Sequence, residues 1–369
     1  MDTVLNRDIS LLKPYPLFLL GLVSIVAYAP GVIGATIPTN WFILFIIAPF
    51  FLLGLNIKLG IGFWFICYAM LSLTWLHSFN VGVFPLAQII LLGCLFVIGQ
   101  NLKDLTPIFK GLGFGLGAAS ILAIAQYLGF REIFTLNNEP AAFFVNKNIY
   151  SELSAILLIS FIIFKLWWFI PTALPGLILV QSRAAYLALA FGLFAWGWRY
   201  NKKLAVGLTL VVGIIGTYFY WGHFQIGSFQ QRLDLWADTI KGFSFFGHGV
   251  GSYETVFPYY ASYINTELER PKFAHNDLLQ LIFEFGVASI LIFMVMLNVL
   301  NNKRKETIII WAILLVSLFT YPFHVPTASF IAFIVAGFVI GTSNSRNLWI
   351  NWRPILSKRI ERKQLKFNF

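Results

Sequence analysis

The sequence predicts an all-α, polytopic membrane protein with about twelve transmembrane helices and one large, partly helical loop on its outer side. Three observations predict it. Apolar runs of roughly 16–22 residues recur from end to end, about the length needed to carry a helix across a hydrocarbon core. Hydrophobic residues make up 59% of the 369-residue chain and charged residues only 11%, where soluble domains carry about 25% charged residues. The basic residues, finally, are distributed asymmetrically between alternate connecting segments.

In chain order the runs are 16–34, 41–57, 59–77, 84–100, 108–128, 149–165, 167–181, 184–198, 204–221, 278–300, 308–322 and 325–343. The stretch 149–198 is the least regular, because Pro171 and Pro175 interrupt it. The first run leads directly into the second without a small-residue cleavage site, so no removable signal peptide is expected. Cys67 and Cys94 fall within apolar runs and read as packing residues, not as a disulfide or metal ligands.

With both termini inside, the inner segments collect 19 of the 26 Lys and Arg residues, leaving 7 for the outer side. That bias is what the positive-inside rule describes, so the net charge of +11 needs no nucleic-acid partner to explain it. The segment 345–369 is then a basic inner tail facing lipid headgroups. The whole chain reads as a single membrane domain.

Two outer connections are long, 129–148 and 222–276, and long connections in a compact fold usually carry function or are disordered. The second has an ordered pattern. Phe229, Leu233, Trp236, Ile240 and Phe243 recur at helical spacing with Gln230, Gln231, Asp234, Asp238 and Lys241 between them. This predicts an amphipathic helix lying along the membrane surface. GHGVGSY (Gly247–Tyr253) follows as a turn. It is no dinucleotide fingerprint, since no strand precedes it.

The outer cations are Arg131, Lys147, Arg183, Arg232, Lys241, Arg270 and Lys272. Arg183, in QSRAAY, stands at a predicted helix entrance. It suits either a phosphate held with the help of helix-start N–H groups or an interfacial arginine reaching to headgroups. Arg232 sits one turn before Trp236, either as a second phosphate ligand or as a cation stacked on an aromatic ring. In FAHNDLLQLIFEFG (Phe273–Gly286), His275 is the best general-base candidate, with Asn276, Asp277, Arg270 and Lys272 around it. Asn276, Gln280 and Glu284 are four apart and share a helix face, which suits substrate contacts or a seam between helices. Asn148 and Glu152 in NKNIYSE repeat that spacing and suit sugar hydroxyls or helix packing. His324, in YPFHVP, is a second and weaker base candidate. The scattered histidines offer no metal-ligand spacing.

The motifs NKN (Asn146–Asn148), QSRAA (Gln181–Ala185), RLDLW (Arg232–Trp236) with GHGVGSY, and AHNDLLQ to EFG (Ala274–Gly286) stand in an order that resembles the O-antigen ligase and O-antigen polymerase superfamily. The resemblance implies transfer of glycan from an undecaprenyl-diphosphate carrier to an acceptor hydroxyl, at the periplasmic face of the bacterial inner membrane. The acceptor would be lipid A core for a ligase or another lipid-linked glycan for a polymerase. No cofactor or metal is implied. Arg183 and Arg232 would grip the diphosphate and His275 would be the catalytic base. Asn276, Asn148, Glu284 and Arg270 are the further substrate-binding candidates. Two other classes compete: a secondary transporter or flippase using Glu284 and His275 for proton coupling, and a non-catalytic assembly protein.

Overall fold

A computed structural model describes residues 13–26, 36–52, 55, 60–76, 79–130, 140–144, 146–220, 226–262 and 271–342. Among these residues the regular structure is helical. The α-helices are α1 (Pro14–Val26), α2 (Thr36–Leu52), α3 (Ile61–Ser72), α4 (Phe79–Asn101), α5 (Thr106–Tyr127), α6 (Lys147–Ile163), α7 (Ile170–Val180) and α8 (Arg183–Trp198). They continue with α9 (Lys202–Tyr220), α10 (Ile226–Lys241), the single turn α11 (Tyr253–Val256), α12 (Asp277–Phe285), α13 (Ser289–Leu300), α14 (Thr307–Ser317) and α15 (Pro326–Gly341).

Each of the twelve apolar runs contains a helix, and the protein is a helical membrane protein. Crossing length is another matter. Three helical stretches among the described residues are long and apolar enough to span a bilayer: Phe79–Asn101, Thr106–Tyr127 and Asp277–Leu300. The others are shorter, such as α7 with 11 residues and α14 with 11. The run 278–300 lies within the last of the long stretches, which is interrupted partway. Gly286, at φ +54, ends α12, and a 3₁₀ turn over Gly286–Ala288 leads into α13.

That break is covered by the glycine-rich turn. His248 and Gly249 donate their N–H groups to the carbonyls of Phe283 and Glu284 at 3.1 and 2.9 Å, and Val287 N–H reaches Phe245 O at 2.9 Å. Gly247, at φ +69, comes so close that a Cβ there would stand 2.3 Å from Glu284 O. GHGVGSY thus supplies the hydrogen bonds that a broken helix otherwise lacks.

Helix α6 is the centre of the bundle, with 14 of its 17 residues buried and α5, α7, α8 and α14 packed around it. Pro171 and Pro175 do not disrupt this region: both are accommodated in α7. Elsewhere small residues bring helices together. A Cβ on Gly337 of α15 would lie 2.1 Å from Phe96 O of α4, so only glycine permits that approach.

Helix α10 forms where the amphipathic pattern places it. Leu233, Ile240 and Phe243 are exposed, whereas Leu235, Asp238 and Thr239 point inward. Asp238 Oδ2 accepts from Ser262 N and Oγ at 2.8 and 2.7 Å, and Thr239 Oγ1 and Tyr253 Oη share a bond of 2.8 Å. The helix is tied down through polar groups and leaves an apolar stripe on its outer side.

Candidate functional site

Two strained backbone positions frame the site. Gln181 closes α7 in the left-handed region, φ +60 and ψ +44, which reverses the chain and makes Arg183 the first residue of α8. His275 also adopts positive φ, +51. A non-glycine residue there costs of order 1–3 kcal/mol and persists only where surrounding contacts enforce it. The enforcing contacts are visible. Trp236 Nε1 of α10 donates to Ala274 O at 3.1 Å, and Gln280 Oε1 accepts from Ala274 N at 3.1 Å.

The three residues singled out from sequence come together. Burial first, and then the like charge of Arg183, lower the pKa of Arg232, while Glu152 and Tyr321 act in the opposite sense. The His275 imidazole is pushed down to about 4 by burial and then by the positive charge of Arg232. Arg232 therefore stands within the field of Arg183 and bears in turn on His275, two cations near a neutral imidazole. His275 Nδ1 is buried with no hydrogen-bond partner among the described residues.

Two members of this neighbourhood were not among the leading sequence candidates. Tyr321 packs edge-on to His275, with ring centroids 5.2 Å apart, and stacks on Phe273 at 4.5 Å. Glu152 is 5% exposed, and its Oε2 accepts from Thr320 Oγ1 at 3.0 Å. Tyr321 could not be found by spacing, since it lies far along the chain in the turn after α14.

The remaining candidates have other occupations. Asn276 is the N-cap of α12: its Oδ1 accepts from Leu278 N and Leu279 N, both at 3.1 Å. An Asn-Asp pair ahead of an apolar run is a capping signal that sequence could have supplied. Glu284 Oε2 accepts from Gly251 N at 2.9 Å and its Oε1 from Gln280 Nε2 at 3.0 Å. Asp277 holds His324 Nδ1 and Phe323 N, each at 2.9 Å, and Gln280 Nε2 meets His324 Nε2 at 3.2 Å. Burial lowers the pKa of His324, but its bond to Asp277 and the charges of Asp277 and Glu284 leave it raised. Asn148 lies in the first turn of α6, its N–H capped by Asn146 Oδ1 at 2.8 Å. Arg270, together with Arg131 and the tail 345–369, lies outside the described residues.

An apolar cavity of about 440 Å³ lies between α3, α4, α12 and α13, with Gln88, Cys94, Asp277, Gln280, Glu284 and His324 as its polar lining. None of Arg183, Arg232 or His275 lines it. The cationic cluster and the cavity are separate features. Among the described residues, no three His, Cys, Asp or Glu side chains are grouped to hold a metal ion.

A search of curated proteins returned no significant match. Comparison with protein-family models matches residues 168–294 to the O-antigen ligase model. The matched segment runs from the start of α7 into α13 and contains Arg183, Arg232 and His275. Over that segment the chain is similar to the O-antigen ligase family, which supports membership of the O-antigen ligase and polymerase superfamily.

Proposed function

We propose that this protein transfers glycan from an undecaprenyl-diphosphate carrier to an acceptor hydroxyl at the periplasmic face of the inner membrane, as an O-antigen ligase or polymerase. The observation that carries the reading is the position of Arg232, close enough to influence both Arg183 and His275. Two guanidiniums side by side repel each other, so an anion of two charges is their natural ligand. They stabilise the diphosphate as it departs.

Neutral His275 accepts the proton of the acceptor hydroxyl as that oxygen attacks the anomeric carbon. The carbon–oxygen bond to the diphosphate breaks in the same step, and the bonding pair leaves with the carrier diphosphate. Its low pKa keeps His275 in the accepting form near neutrality. The exposed apolar residues Leu233 and Ile240 of α10, with Phe243 just beyond its end, suit a helix resting on the outer leaflet above the carrier's headgroup. About twelve membrane crossings, a single membrane domain, an outer loop at 222–276 and an inner basic tail at 345–369 belong to this proposal. So do substrate contacts by Asn148, Arg270 and the α12 face of Asn276 and Glu284. The transporter alternative finds less support, because Glu284 is fixed by Gln280 and Gly251.

The test is incubation of purified protein with undecaprenyl-diphosphate glycan and either core lipid or further donor. Lipid A-linked product identifies a ligase, and a ladder of longer carrier-linked chains a polymerase. Solute flux in proteoliposomes with no glycosidic product would overturn the proposal.

A further inference from the structure

Glu152 is not needed by the mechanism above and lies outside the matched family segment. Its carboxyl group is buried, and one oxygen is held by Thr320 Oγ1 at 3.0 Å. The other, Oε1, is buried with no hydrogen-bond partner among the described residues, although Ser182 stands close by. A buried carboxyl oxygen without a donor is costly and calls for an explanation. Helix packing alone does not give one, because the Thr320 bond already joins α6 to the end of α14.

The surroundings restrict the missing partner. Glu152 acts electrostatically on Arg232 and on Tyr321, the ring against His275. It therefore belongs to the same space as the proposed diphosphate ligands and the proposed base. An ionised carboxyl group does not suit a phosphate oxygen, since both are acceptors. A neutral hydroxyl suits it, and between a diphosphate and the attacking oxygen stands the sugar attached to the carrier.

We infer that Glu152 is a sugar ligand: its open Oε1 accepts a hydroxyl of the carrier-proximal sugar and so distinguishes glycosylated from bare carrier. The inference rests on the proposed function and adds a specificity determinant to it.

The experiment is equilibrium binding without acceptor, using undecaprenyl diphosphate and undecaprenyl-diphosphate-linked glycan as the two probes. Wild-type protein should prefer the glycosylated probe. Glu152→Ala should weaken that probe about tenfold, the worth of one hydrogen bond, and leave the bare carrier as tight or tighter. Thr320→Val, which keeps the carboxyl but frees its anchored oxygen, should lower the preference in the same direction by a smaller factor. It serves as the readout should Glu152→Ala fail to fold. Equal weakening of both probes would show that Glu152 acts only through Arg232, and an unchanged preference in both variants would show that it touches no sugar. Either result overturns the inference while the proposed function stands. Wild-type protein that binds neither probe removes the functional reading itself.

Discussion

The two polar regions on either side of the start of α12 are built from similar residues and behave differently. The wall cluster of Asp277, Gln280, Glu284 and His324 is closed: each carboxyl oxygen named there meets an N–H, and the histidine is bonded at both ring nitrogens. The cluster of Arg183, Arg232, His275 and Glu152 is open. It keeps like charges together, leaves Glu152 Oε1 and His275 Nδ1 without partners among the described residues, and holds His275 at positive φ. A closed network fixes geometry, whereas an open one stores cost that a ligand relieves. Polarity inside a membrane protein is thus a poor guide to function until the hydrogen bonds are counted.

The comparison breaks most easily at His275. Replacement by Ala or Asn should lower glycan-transfer turnover about 10²- to 10⁴-fold with little change in the detergent melting temperature. Asn is the cleaner variant, since it tolerates the left-handed backbone. Full turnover would end the assignment of the base. Arg183→Ala and Arg232→Ala should each reduce transfer about 10²- to 10³-fold. Because they share one anion, the double variant should fall short of the product of the two losses, measured as a double-mutant cycle.

The closed cluster should answer in stability. Asp277→Leu strips the partners from Phe323 N–H and His324, a loss of about 2–5 kcal/mol, seen as earlier thermal unfolding. Unchanged stability with lost donor binding would mean that the two regions have been assigned the wrong way round. Acid sharpens the contrast further. His275 titrates near 4 in the fold against 6.5 in the free side chain, so between those values the unfolded chain binds the extra proton. Stability should rise with pH across that window, and His275→Asn should flatten the slope. Transfer should fall to half as the imidazole protonates near pH 4. The smallest effect belongs to Lys241→Ala. Its ammonium is mostly exposed, and Asp238 keeps both bonds from Ser262, so unfolding should shift by no more than about 0.5 kcal/mol.

Much of the helix map was readable from the chain. Apolar runs located every helix that bears on the site, Ser182 followed by Arg183 located the start of α8, and the pattern around Trp236 located α10. Local polarity left the role open in two places. Asn276 and Glu284 share a helix face with Gln280 as spacing requires, yet one caps α12 and the other binds a distant turn. The apolar face of α10 was legible as a stripe, but sequence does not say whether a stripe meets protein or the membrane surface.

The chain by itself determined a helical membrane protein, the uneven spacing of its cations along the sequence, and the three residues that carry most of the proposed chemistry. These follow from local properties: the length of an apolar run, the charge of a connection, the residue types at a helix start. Only the tertiary structure decided that Glu152, Arg232, His275 and Tyr321 share one neighbourhood, that α12 breaks at Gly286, and which polar atoms remain unbonded. Those facts depend on contacts between residues far apart in sequence, and whether a buried polar group is satisfied is settled by what the fold brings to it.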